Sequence, residues 1–198
     1  LMPLEGSHTH RMLQQRNSKL QEKARQLREQ IEDLAKEGDS QAQHDLGRLY
    51  KNGWGLEEDQ EQAIHWYRMA AEHGNLQAQY DLAQCYKEGY GVPQDDKEAM
   101  HWYIKAASSG EACSQLMLGW MYAQGDGAEQ DYEMAVTWYR KAAEQGNVLA
   151  QSNLGLIYEQ GDGVEQDYEI AVTWYRKAAE QDSSYGHYHL ARAYMEGC

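Results

Sequence analysis

LGWMYAQGDGAEQDYEMAVTWYRKAAEQGN occupies residues 118–147, and LGLIYEQGDGVEQDYEIAVTWYRKAAEQDS occupies residues 154–183. The second stretch nearly copies the first at a displacement of 36 residues. Self-similarity at a fixed interval marks a supersecondary unit repeated along the chain. Working outward, Gly38, Gly74, Gly110 and Gly146 open successive units, with Asp182 in the fifth place. Ala42, Ala78, Ser114, Ala150 and Gly186 keep one column small, while Leu46, Leu82, Leu118, Leu154 and Leu190 never vary. Gly47, Ala83, Gly119, Gly155 and Ala191 follow those leucines, and Tyr50, Tyr86, Tyr122, Tyr158 and Tyr194 come three residues later. Paired glycines stand at 53/55, 89/91, 125/127 and 161/163, then an aspartate at 59, 95, 131 and 167. Each unit closes with Ala (63, 99, 135, 171), Trp-Tyr (66–67, 102–103, 138–139, 174–175) and Ala-Ala (70–71, 106–107, 142–143, 178–179). No insertion breaks the register.

The spacing identifies the unit as an αα-hairpin. Ala42, Leu46, Leu49 and Tyr50 step as one helical face and predict helix A over about 39–52. The small residue beside each leucine predicts close approach by a neighbouring helix. Gly-x-Gly ends helix A, because glycine enters the left-handed region cheaply. The recurring aspartate is an expected N-cap for helix B over about 60–73, whose buried stripe is Ala63, Trp66, Tyr67, Ala70 and Ala71. One hairpin cannot bury both of its faces, so neighbours stack. The expected fold is all-α, a solenoid of antiparallel αα-hairpins over 38–181, with helix A of a fifth, incomplete unit over 182–198. Upstream, Leu20, Ala24, Leu27, Ile31 and Leu34 form a heptad seam. The region 11–37 thus reads either as a cap on the first unit, with Ala35 in register with Ala71, or as a coiled-coil helix forming a homodimer. Residues 1–10 read as an appended, disordered segment.

Composition bounds the function. Net charge is −14, so nucleic acid and anionic lipid are excluded as expected partners. No run of about 20 apolar residues predicts membrane insertion. Cys85, Cys113 and Cys198 are odd in number and irregularly spaced, neither a disulfide framework nor a zinc site. No Phe is present, against 15 Tyr and 6 Trp, so the large apolar contacts carry polar edges suited to a thin core.

AQHDLGRLYKNGWG, AQYDLAQCYKEGYGV and the two stretches quoted first resemble the Sel1-like repeat family, relatives of the tetratricopeptide repeats. The resemblance covers about 38–197. It implies a right-handed superhelix and a role as a protein-binding adaptor, in bacterial signalling, envelope assembly, host contact or eukaryotic quality control. Cysteine-rich family members carry paired cysteines that this chain lacks. The compartment stays open, with bacterial cytoplasm, periplasm and secretion all compatible.

In a stack of this kind the invariant columns make the core, so partner information falls in the variable columns of helix A. The positions three, six, ten and thirteen after the opening residue are expected to line a concave groove, the face with which tetratricopeptide repeats hold peptides. They are Gln41, His44, Arg48 and Lys51, then Gln77, Tyr80, Gln84 and Lys87. Next come Cys113, Leu116, Trp120 and Ala123, then Leu149, Ser152, Leu156 and Glu159, and finally Tyr185, Tyr188, Arg192 and Met195. The groove is expected to run from polar and mildly basic to apolar and aromatic. Leu116, Trp120, Leu149 and Leu156 are the expected apolar patch, unless curvature buries them.

Catalytic residues, cofactor and metal are all expected to be absent. Asp126, Glu129, Asp131 and Glu133 match no calcium loop and read as turn and cap residues. Cys85 lies in a core column, no histidine is placed to activate Cys113, and His187 and His189 point to different helix sides. The expected function is a non-enzymatic adaptor binding a protein or peptide. Alternatives are an assembly or regulatory subunit dimerising through its N-terminal helix, and a cell-envelope hydrolase or enzyme accessory.

Overall fold

The computed structural model describes residues 5–196, with side chains for Arg16 and for residues 18–195. The described residues form ten α-helices and no strand, in two compact units. Unit 1 holds α1 (Glu5–Lys36), α2 (Ser40–Asn52) and α3 (Gln60–Glu72). Unit 2 holds α4 (Leu76–Glu88), α5 (Asp96–Ser108), α6 (Ala112–Gln124), α7 (Tyr132–Glu144), α8 (Val148–Gln160), α9 (Tyr168–Ala179) and α10 (Ser184–Glu196). Within each unit every helix packs on its neighbours in sequence, the pattern of a solenoid. Of the segment set aside at the N-terminus, residues 1–4 lie outside the described residues and the rest belongs to α1.

Each boundary has the cause read from the repeat. Asp59, Asp95, Asp131 and Asp167 are extended N-cap residues whose carboxylates accept backbone N–H groups of the first turn of helix B. Helix A has caps of its own that the repeat columns did not reveal: Asp39, Glu111 and Asn147 accept from Ala42, from Cys113 and Ser114, and from Ala150. They went unread because the residue type varies down that column, through Asp39, Asn75, Glu111, Asn147 and Ser183. Gly125 and Gly161 end helix A in the left-handed region. At the fifth unit opening Asp182 takes φ 60°, a conformation that aspartate tolerates better than most residues.

The small column after the invariant leucine does what its size predicts. A Cβ on Gly119 would lie 2.5 Å from the Tyr139 ring, and one on Gly155 2.4 Å from the Tyr175 ring. The helix-B tyrosine thus lies directly on the helix-A backbone. In unit 1 the core gathers Ala35, Ala42 and Leu46, with Ile31, Leu49, Tyr50, Leu56 and Trp66 against it. In unit 2 the larger cluster includes Tyr139, Leu154, Ile157, Tyr158, Trp174 and Tyr175.

A buried polar column runs through the same core. Gln43, Gln79, Gln115 and Gln151 recur at the repeat interval and are at most 7% exposed. The Nε2 of Gln43 donates to the Ala35 carbonyl, that of Gln115 to Ala107 and that of Gln151 to Ala143, at 3.0–3.1 Å. Gln43, Gln115 and Gln151 thus each tie the start of a helix A to the last turn of the helix before it. In two of them Oε1 receives a second partner from the end of the same unit's helix B: Gln145 donates to Gln115 and Gln181 to Gln151. In unit 1 His73 Nδ1 lies 2.9 Å from the Gln43 Oε1. Buried polar groups are tolerable when satisfied in this way, and they then fix register.

Candidate partner-binding face

The third column of helix A is exposed throughout and the tenth is exposed or half-buried. The sixth is buried at His44 and Ser152, half-buried at Tyr80 and Leu116 and exposed at Tyr188, and in the thirteenth Ala123, expected in the groove, is 7% exposed. In unit 1 Gln41 and Arg48 are exposed and Lys51 is half-buried, but His44 is 4% exposed, its ring tilted 5.8 Å from that of Tyr67. Its expected place in an open groove is corrected: at six residues past the opening, the side chain points at helix B. Arg48 lies over the Trp54 ring at 5.9 Å, and Gln41 donates to Asp45.

In unit 2 Gln77 is exposed, and Tyr80, Gln84 and Lys87 are half-buried, with Gln84 donating to the Tyr80 hydroxyl at 2.9 Å. Lys87 Nζ donates to Asp96 at 3.0 Å and to Asp126 at 2.6 Å, and lies 4.7 Å from the centre of the Trp120 ring. Burial pulls its pKa down, and the two aspartates outweigh that and raise it. Trp120 is 38% exposed and Leu149 64% exposed. Leu116 and Leu156 are half-buried, Leu116 against the hydrophobic cluster, so curvature takes part of the expected patch. Ser152 is buried and donates to the Val148 carbonyl, the second correction in the sixth column. At the last helix Tyr185 and Tyr188 are exposed, at 42% and 63%, and Arg192 donates to Glu159. The outcome is an apolar, aromatic row on the helix-A face of α6, α8 and α10 whose neighbouring charges are already paired.

The helix-B faces look different. Trp102, Trp138 and Trp174 are at most 9% exposed, and Lys105, Lys141 and Lys177 lie 4.1–4.2 Å over their rings. The lysine stems and ammonium groups cover these aromatics, and the exposed large hydrophobics described on the helix-B segments of unit 2 are Ile104, Tyr168 and Ile170.

The nearest approach to acid–base chemistry is at the end of unit 2. Tyr175 donates to Glu159 at 2.6 Å, Arg192 pairs with the same carboxylate, and His189 Nδ1 lies 3.6 Å from it. Burial lowers the His189 pKa and raises that of the Tyr175 hydroxyl. The space enclosed there is about 10 Å³, close to one water and too small for a substrate. Burial first, and then Glu111, raises the Cys113 thiol, the opposite of nucleophile activation. Cys85 and Cys113 take part in no disulfide. Among the described residues no three His, Cys, Asp or Glu side chains could hold a metal, and no helix is long and apolar enough to cross a membrane. His187 is exposed while His189 is buried, so the two do face different sides. Asp131 and Asp126 serve as cap and ion-pair partner, as expected of turn residues.

With this geometry in place, the comparisons are consistent. The Sel1 repeat model matches four times, at residues 40–75, 76–111, 114–147 and 148–183. The chain belongs to the Sel1 repeat family. A protective antigen of uropathogenic Escherichia coli with an SLR fold is 42% identical over 84% of this chain and 36% of its own, at a TM-score of 0.83. A Sel1 repeat protein from Oxalobacter formigenes is 37% identical over 80% of this chain and 65% of its own, at 0.77. An immunity protein from Pseudomonas aeruginosa is 26% identical over 79% of this chain and 58% of its own, at 0.50. The chain thus spans less than two thirds of each of these proteins. No curated protein matches it. Sel1 repeat proteins are generally protein-interaction scaffolds, and the family is typically non-catalytic.

Proposed function

We propose that this Sel1 repeat chain is a non-enzymatic adaptor that holds a peptide or a partner surface against the helix-A face of α6, α8 and α10. The observation that carries the reading is the row of Trp120, Leu149, Tyr185 and Tyr188, all large, apolar or aromatic, and all 38–64% exposed. Leu149 makes no use of solvent, and its exposure beside three aromatics is the signature of an anchor site, since aromatic side chains dominate interface energetics. The charges beside the row are neutralised within the chain, Lys87 by two aspartates and Arg192 by Glu159. Recognition then rests on apolar anchoring, and partner affinity is expected to vary little with salt. The E. coli relative is described as a protective antigen and the P. aeruginosa relative as an immunity protein, both roles that a binding face would serve.

The test is partner capture with Trp120→Ala plus Leu149→Asp against the helix-B pair Thr137→Asp plus Thr173→Asp, both threonines being exposed. The first pair is expected to abolish capture and the second to preserve it, with helical content unchanged in both. Equal capture by the two double variants contradicts the proposal.

A further inference from the structure

His189 is the one member of its repeat column that titrates near neutral pH. The same place holds Asp45, Asp81, Met117 and Asn153 in the preceding units. Asn153 hydrogen-bonds the hydroxyl of Tyr139, the helix-B tyrosine it faces. In the last unit that arrangement is exchanged. The Tyr175 hydroxyl donates to Glu159 at 2.6 Å, and Arg192 pairs with the same carboxylate. His189 Nδ1 is left 3.6 Å from Glu159 and makes no hydrogen bond, although the side chain is only 6% exposed.

Rings hold the imidazole instead. It stacks on Tyr175 at 4.7 Å and 25°, lies 4.1 Å from the Tyr185 ring and meets Tyr188 edge-on at 5.0 Å. Tyr185 is 42% exposed and belongs to the column that is exposed in every unit, through Gln41, Gln77, Cys113 and Leu149. Its place at the surface is thus set by the repeat. The last anchor of the candidate face therefore rests directly on a buried base.

We propose that His189 is an acid-sensitive latch: neutral, it keeps Tyr185 seated in the helix-A face, and protonated, it releases that anchor. What release means for function, loss of partner grip in acid, rests on the adaptor role proposed above; the release itself does not. Its cause is a charge with nowhere to go. The groups facing the imidazole are Glu159 from α8, Tyr175 from α9, and Tyr185, Tyr188 and Arg192 from α10, with Tyr168 lining the same space. Glu159 is the one anion among them, and Arg192 already neutralises it. Protonation of His189 sets two cations against one carboxylate. The enclosed space is about 10 Å³, so at most one water can hydrate the new charge in place. A charge buried under those conditions is costly, and the structure avoids it by moving the ring out to solvent. Burial lowers the pKa of His189, the direction this requires. The released ring regains the ordinary value near 6.5, so proton uptake pulls toward release below that pH and exerts no pull above it.

NMR on the chain with labelled His, Tyr and Gly tests it without any partner, the Tyr185 signals being assigned from Tyr185→Phe. Nuclear Overhauser contacts between His189 and the Tyr185 ring are expected at pH 7.5 and are expected to be lost by about pH 5, below the ordinary histidine value. Contacts between the Tyr139 ring and Gly119, which pack without a titrating group, are expected to persist at both pH values. His189→Asn gives this place the side chain of the preceding unit, and its Tyr185 signals are expected to be the same at both pH values. His187→Asn, at an exposed histidine two residues away, is expected to leave the transition intact. Four results would each overturn the latch. They are His189–Tyr185 contacts that survive at pH 5, a Tyr185 change that persists in His189→Asn, a transition that His187→Asn removes, and loss of the Tyr139–Gly119 contacts at the same pH. Since no partner takes part, failure of the adaptor reading would leave every one of these outcomes as it stands.

Discussion

Replacing Gln115 by glutamate changes one NH2 group to oxygen and leaves shape and volume alone, so it isolates the electrostatics of the buried glutamine column. Gln115 is 4% exposed, donates to the Ala107 carbonyl at 3.1 Å and accepts from Gln145 at 2.8 Å. As a carboxylate it faces that carbonyl with no donor. The lost hydrogen bond costs about 1 kcal/mol, and burying an uncompensated charge costs about 3–5 kcal/mol. The bond from Gln145 becomes charge-assisted and returns about 1–2 kcal/mol. The net loss is about 3 kcal/mol at neutral pH, or about two units of upward shift in the pKa of the new carboxyl. The sign follows. Below the unfolded value near 4.3 the protonated acid donates to Ala107 as the amide did, and stability is close to that of the parent. As pH rises the unfolded chain ionises first, so stability falls until about pH 6.5 and is level thereafter. Urea unfolding followed by circular dichroism, on both proteins at pH 4 and pH 7.5, reads this directly. A loss under about 1 kcal/mol at pH 7.5, or an equal loss at both pH values, refutes the reasoning.

Three further outcomes are expected. Gly163→Ala puts a Cβ 2.5 Å from the Tyr132 Cβ at φ 67°, whereas Gly146→Ala, at φ 88°, meets nothing within 4 Å. Both carry the strain of the left-handed region, and Gly163→Ala is expected to lose about 1–3 kcal/mol more in denaturant unfolding. His189 has its pKa lowered by burial between the Tyr175 and Tyr185 rings, with Glu159 3.6 Å away. Below about pH 6.5 the unfolded state therefore takes up a proton that the folded state resists, and stability falls toward acid. Amide exchange in α10 is expected to speed up between pH 6.5 and 5, beyond the intrinsic change, and His189→Asn to remove that excess. Lys87→Met leaves Asp96 and Asp126 facing each other without their cation, and a lower thermal midpoint is expected that Asp126→Asn partly restores in the double variant.

The fold was legible because an uninterrupted repeat shows every contact several times over. The invariant leucine, the Gly or Ala after it and the helix-B tyrosine are three views of one contact, which the Tyr139 ring makes on the backbone at Gly119. The N-cap aspartates were equally plain, because only a few residue types can fill that place. The buried glutamines recur with the same regularity, yet polarity disguised them as surface. The signal that would have exposed them is their invariance across four units whose neighbouring polar positions all vary. The candidate face was read less well. Helical spacing separates a residue from the core stripe, but how far the next hairpin leans over it depends on the angle between helices, which no column encodes. His44 and Ser152 were misplaced for that reason, while Trp120 and Leu149, one helical step to either side, stay exposed. The meaning of the N-terminal seam was also open, because a heptad of leucines serves a coiled coil and a cap equally. Its hydrogen bonds to α2 identify α1 as a member of the stack.

The most direct test of the scaffold reading is site-specific photocrosslinking from one exposed position at a time, with the probe at Leu149 or Tyr185 on the helix-A face and at Thr137 or Thr173 on helix B. One partner protein crosslinked from both helix-A positions, and from neither threonine, is the predicted result. Adducts of equal yield from both faces, or from the threonines alone, contradict the account.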